Sequence, residues 1–111
     1  MDQAQFERYT VPVSATVGEA MARIESNGHR CVIVVDDSLR VMGAFSDGDA
    51  RRALLAHRLM SAPVSEVMTL NVLTLRPGEE ASARALAAQH HVEVFPVVGA
   101  NLELLDIVVA G

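Results

Sequence analysis

A single cysteine, Cys31, is all that the chain of 111 residues holds, so no disulfide can form within it and stability has to come from apolar burial. Cys31 lies in the run CVIVV, where a small core residue in a reducing compartment is the simplest reading. Long hydrophobic runs are missing too. No segment approaches the roughly 20 apolar residues that span a bilayer, and the start MDQAQFERYT is too polar and acidic for a signal peptide. The expectation is a soluble, cytoplasmic protein with no membrane partner. Positive charge is scarce: 9 basic against 14 acidic residues give a formal charge of -5, which opposes the phosphate-neutralising surface of a nucleic-acid binder. Signatures of catalysis are absent as well. There is no Ser-His-Asp set and no Walker A loop, and His29, His57, His90 and His91 do not form a zinc spacing with Cys31. No metal is expected, and any catalysis belongs to a fused domain.

What is present is apolar bulk. Half of the residues are hydrophobic, and a chain of this length can bury roughly two-thirds of the surface that it exposes when unfolded. Val17, Met21 and Ile24 stand at i, i+4 and i+7 with Ala20 beside them, one apolar stripe of a helix. Thr16 is its N-cap and Gly28 its stop. CVIVVDDSLRVMGAF then reads as two strands joined by a turn over Asp36 to Arg40. Its first strand does not alternate, which predicts cover on both faces. A second helix is expected from Asp47 to about His57, with acids in its first turn and His57 and Arg58 in its last. Pro63 and Pro77 bracket a connector with a short helical turn and a short strand near Val72 to Thr74.

The second half repeats the first. EEASARALAAQHH is an alanine-rich helix, VEVFPVV and LLDIVVAG are strands, and GANLE is the turn between them. At an offset of 63 residues Ala20 falls on Ala83, Val35 on Val98, Leu39 on Leu102 and Phe45 on Val108. Two such units, 1–62 and 63–111, are expected to pack sheet against sheet about a pseudo-twofold axis in an α+β fold. The second copy reaches Gly111 before its closing helix, so that helix is either absent or lies in a longer chain.

The densest chemistry lies in GAFSDGDARRALL. Ser46-Asp47-Gly48-Asp49 is a capping box by pattern, with the serine hydroxyl on the N3 amide and Asp49 reaching back to the Ser46 amide. Local sequence alone favours that reading. A helix N-terminus with a hydroxyl and exposed amides also suits an anion, and a carboxylate one turn further on has the two acceptors that grip a pair of ribose hydroxyls. Both readings stand at this point.

HRCVIVVDDSLRVMGAFSDGDARRALL, with its partner HHVEVFPVVGANLELLDIVVAG, resembles a pair of CBS domains, a Bateman module, from about Val11 to Gly111. The features that carry the likeness are the helix alanine, the strand ending in Val-Asp, the glycine seven residues later and the Ser-x-x-Asp that opens a helix. FSDGDARRALL and SEVMTLNVLTL are similar, more narrowly, to CBS pairs attached to sugar nucleotidyltransferases and to isomerases of arabinose 5-phosphate. The resemblance implies two βαββα-type repeats, the second without its closing helix. It also implies an adenosine nucleotide, AMP or ATP, held by Ser46 and Asp49 with Asp47 in the same turn, and a homodimer that regulates an attached enzyme.

His29 and Arg30 stand where related modules place basic groups near the phosphates, though a His-Arg pair entering a strand is also a plain solvated edge. Of Arg51 and Arg52, one is expected to reach phosphate and the other to meet an acid or solvent. Thr74 matches a position that lines the cleft of the opposite repeat, and is equally an ordinary strand threonine. Val94, Phe95 and Pro96 match the strand segment laid against adenine, and as plain core they need no ligand; Pro96 also limits ladder pairing. In the second copy Asp106 replaces the motif glycine and Val109 the serine, which predicts an incomplete second site and one nucleotide per chain. Ile33 stands where the family often has proline. The competing reading is a scaffold that dimerises its host and binds nothing small.

Overall fold

The computed structural model describes residues 2–110; the chain end at Gly111, on which the missing closing helix was judged, lies outside them. The order is α1 (Gln3–Tyr9), β1 (Thr10–Pro12), α2 (Val17–Asn27), β2 (Cys31–Val35), β3 (Val41–Ser46), α3 (Asp47–Leu55), α4 (Ala83–His90), β4 (Val94–Val98) and β5 (Leu104–Val109), with 3₁₀ turns at Val64–Glu66 and Glu80–Ser82. One sheet runs β1-β2-β3 and the other β4-β5.

Both expected ends of α2 are visible in hydrogen bonds. The Thr16 side chain accepts from Glu19 N while Glu19 accepts from Thr16 N, and Gly28 closes α2 with φ +72° and its N–H on Ile24 O. Helix α3 ends at Leu55, two residues short of the expected His57. His57 adopts φ +60°, and the amides of His57 and Arg58 bond back to Leu54 O and Ala53 O. That Schellman closure leaves His57 and Arg58 outside the helix.

The non-alternating strand β2 is covered on both faces, and the two faces belong to different cores. Val32 and Val34 face a cluster with Val17, Ala20 and Phe45 under α2 and α3, whereas Ile33 and Val35 meet Val94, Val98 and Ile107 between the sheets. A third cluster joins Phe95 and Val97 to Leu75 and Ala83 beneath α4. The layers are therefore helix, sheet, sheet, helix.

The 63-residue repeat extends to backbone detail. Bulges fall between Val34 and Val35 and between Val97 and Val98. Leu39 and Leu102 both have positive φ, 61° and 64°, and their carbonyls receive the Leu104 and Val41 amides, each at 2.9 Å, so the two hairpin turns clasp each other across the pseudo-twofold axis. The strand expected at Val72 to Thr74 reduces to a single parallel bridge, Leu75 to Val97. Leu75 N donates to Pro96 O on that side, so the proline's missing N–H faces the edge and the β4-β5 ladder, Pro96 opposite Ile107, is intact.

Candidate ligand cleft

The capping box at α3 is formed, and it is only part of a larger network. Ser46 Oγ accepts from Asp49 N at 3.3 Å, and Asp49 Oδ2 accepts from both Ser46 N and Ser46 Oγ at 3.0 Å. The other oxygen, Asp49 Oδ1, accepts from Arg52 at 2.6 Å and from Thr69 Oγ1 at 2.9 Å. Asp49 is 5 % exposed, so a buried carboxylate is satisfied on both oxygens and neutralised by one guanidinium. Of the two arginines after the motif, Arg52 is thus the one that meets an acid, and Arg51 lines a cleft.

Thr69 reaches Asp49 because the chain crosses β3 at Gly43. A Cβ on Gly43 would lie 2.7 Å from Met68 Sδ and 2.8 Å from Thr69 O. Close passage lets Ala44 and Thr69 exchange two backbone hydrogen bonds, at 2.9 and 2.8 Å. The motif glycine is therefore there for a chain crossing.

Two cavities meet at this turn, sharing Cys31, Ser46 and Val92. The smaller, about 320 Å³, is the open end of the gap between the sheets, walled by Ala44, Val72, Leu73 and Val94, with Asp49, Thr69 and Asn71 as its polar side. The larger, about 650 Å³, holds His29, Arg30, Asp47 and Arg51 on the α3 side and Ala87, His91 and Glu93 on the α4 side. His29 is oriented by Tyr9, whose hydroxyl lies 3.0 Å from Nδ1, and the buried Asn27 side chain ties the turn together by accepting from His29 N and donating to Arg8 O and Cys31 O. Burial first, then the nearby Asp49 and Asp47 carboxylates, push the Cys31 thiol up to about 12, so it is an unreactive wall rather than a nucleophile.

Ser46, Asp47, Asp49, Arg51, His29, Arg30 and Val94 thus line two adjoining cavities that share Cys31, Ser46 and Val92 as a common wall. Thr74 and Pro96 line neither: Thr74 precedes the Leu75 bridge, and Pro96 is fully buried in β4. Sequence reasoning missed Thr69, Asn71, Val72 and Leu73, which lie in the segment read as connector and strand. In the second repeat, Asp106 and Val109 occupy the positions of Gly43 and Ser46, and among the described residues no segment crosses β5 as residues 68–69 cross β3.

Residues 7–56 match the CBS domain family. The structure is similar, over 91% of this chain and 76% of the other, to a putative acetoin utilization protein, AcuB, from Vibrio cholerae, at 25% identity and a TM-score of 0.76. The chain is a CBS domain pair. A second similar structure is the CBS domain protein PAE2072 from Pyrobaculum aerophilum complexed with AMP, with 19% identity, a TM-score of 0.71 and cover of 91% of this chain and 79% of that one. In sequence the CBS pair is 35% identical over 95 residues, 85% of the chain, to the arabinose 5-phosphate isomerase GutQ of Escherichia coli O6:H1. The chain spans about 30% of that relative's length.

Proposed function

We propose that this CBS pair is a regulatory module that binds one adenosine nucleotide and controls an attached or partner sugar-phosphate isomerase in the cytoplasm. The observation that carries the reading is the junction of the two cavities at Ser46. An apolar slot suited to a purine base opens beside the Asp49 carboxylate and adjoins, at Ser46, a space lined by Arg30, Arg51 and the N-terminal turn of α3. The AMP complex of the structurally similar PAE2072 protein and the likeness to GutQ support it. The isomerase is favoured over the nucleotidyltransferase host that the sequence also suggested.

In this reading the base lies in the slot against Val94 and Leu73, Asp49 takes the ribose hydroxyls, and Ser46 with the α3 amides takes the first phosphate. Asp49 already holds four hydrogen bonds, so binding exchanges its Ser46 or Thr69 partners for ribose. That exchange links the ligand to the chain crossing at residues 68–69 and so to the relation between the repeats, a population shift that an attached domain can read. The homodimer belongs to the same proposal. Leu54, Leu55 and Leu59, on and after α3, are more than half exposed, and a second copy can cover them.

The full satisfaction of Asp49 favours one alternative, a ligand-free dimerisation scaffold in which the box is only a cap. Isothermal titration of the native chain with AMP decides between them. Saturable binding near one AMP per chain supports the sensor; no heat of binding at millimolar AMP supports the scaffold.

A further inference from the structure

The larger cleft lies on the pseudo-twofold axis, and the two repeats furnish it unequally. Its paired positions, 63 residues apart, are His29 with Val92, Arg30 with Glu93 and Asp47 with Ala110. The α3 side therefore presents Arg30, Arg51 and a helix N-terminus, the partially positive end of a helix. Facing it, the α4 side presents Ala87, the C-terminal end of α4 at His91 and the carboxylate of Glu93. That wall is partially negative by its helix end and negative by its side chain. Glu93 takes part in no side-chain hydrogen bond or ion pair among the described residues, so its charge is not neutralised by a partner as that of Asp49 is by Arg52.

We infer that this polarised cleft makes the site selective for a nucleoside monophosphate over the corresponding di- and triphosphate. The inference rests on the nucleotide reading given above and adds its charge limit. A base in the slot and a ribose on Asp49 put the first phosphate at Ser46, within the basic half of the cleft. Each further phosphate then extends the ligand across the axis toward Glu93 and the last turn of α4. There added negative charge meets a carboxylate and carbonyl ends, and the guanidiniums of the lining, Arg30 and Arg51, stand on the opposite side. The lining holds two carboxylates, Asp47 and Glu93, against two guanidiniums, so it suits a small anion at the basic wall and has no surplus positive charge for a long one.

The test is titration of the native chain with AMP, ADP and ATP in EDTA, so that no divalent ion screens the phosphates, repeated on Glu93→Gln and Glu93→Arg. The second variant gives the α4 side the counterpart of Arg30. The expected native order is AMP, ADP, ATP, with AMP on the order of tenfold tighter than ATP, and the AMP-to-ATP ratio falls stepwise in Glu93→Gln and Glu93→Arg. ATP binding as tightly as AMP to the native chain, or a ratio unmoved by both variants, overturns the inference and leaves the nucleotide site standing. Absence of binding by all three nucleotides overturns the site itself and the inference with it. Circular dichroism of both variants, expected to match the native chain, separates lost folding from altered selectivity.

Discussion

Thr69 Oγ1 donates to Asp49 Oδ1 at 2.9 Å, joining the connector between the repeats to the first turn of α3. Because Asp49 is buried and accepts from Ser46, Arg52 and Thr69 together, its removal leaves several donors unpaired at once. Asp49→Ala is expected to lower stability by about 2 to 3 kcal/mol, and Thr69→Val by about 1 kcal/mol. Urea unfolding of both single variants and the double variant measures the coupling. Strictly additive losses would mean that the two side chains do not interact.

Gly43→Ala tests the chain crossing. The added methyl meets Met68 Sδ at 2.7 Å and the Thr69 carbonyl at 2.8 Å. The methionine end can shift and the carbonyl, held by Ala44 N, cannot do so freely. The expected cost is about 1 to 3 kcal/mol by chemical denaturation. A Gly43→Ala variant as stable as the native chain would show that the 68–69 segment is loosely held.

The repeat predicts opposite signs at one pair of positions. Gly28 and His91 occupy corresponding left-handed closures, φ 72° and 58°, with amides on Ile24 O and Ala87 O. Gly28→Ala is expected to destabilise and His91→Gly to stabilise, each by about 1 kcal/mol, read as shifts in Tm. A fall in Tm for His91→Gly would mean that its side chain contributes more than its backbone strain costs.

Cys31 predicts an alkaline limit. Burial raises its thiol from an ordinary 9.0 to about 12, so the native state holds a proton that the unfolded chain releases. The stability tied to that proton is complete below pH 9 and declines as pH rises toward 12. Cys31→Ala removes this part of the decline, as unfolding curves from pH 8 to 11 can show. In the native protein at pH 8, iodoacetamide is expected to leave Cys31 unmodified until urea unfolds the chain; rapid modification without urea would contradict its burial.

Local signals carried the elements that local chemistry determines. The Thr16 cap, the Ser46 box and the Gly28 stop were legible because each depends on residues within one or two turns, and the double cover of β2 because its apolar run does not alternate. Helix α1 was not. Seven residues cannot hold a helix in water, and its support comes from afar, from Asn27 on Arg8 O, Arg23 on Glu7 O and Gln5 on Ile107 O. The strand expected near Val72 had the right composition but found only the Leu75 bridge to Val97. The cleft was legible at Ser46, Asp49 and Arg51 because the motif is contiguous. Thr69 and Asn71 were hidden because their place beside Asp49 depends on the crossing at Gly43, a contact between segments some twenty residues apart in the chain.

The central claim is that the Asp49 turn holds an adenosine nucleotide. Thermal unfolding with and without AMP, on the native chain and on Asp49→Ala, tests it most directly, each protein being compared with its own ligand-free midpoint. At a hundredfold the dissociation constant, bound AMP adds about 2.7 kcal/mol by mass action. The account predicts a raised midpoint for the native chain and none for Asp49→Ala. A native midpoint unmoved by AMP, or one raised equally in Asp49→Ala, would contradict it.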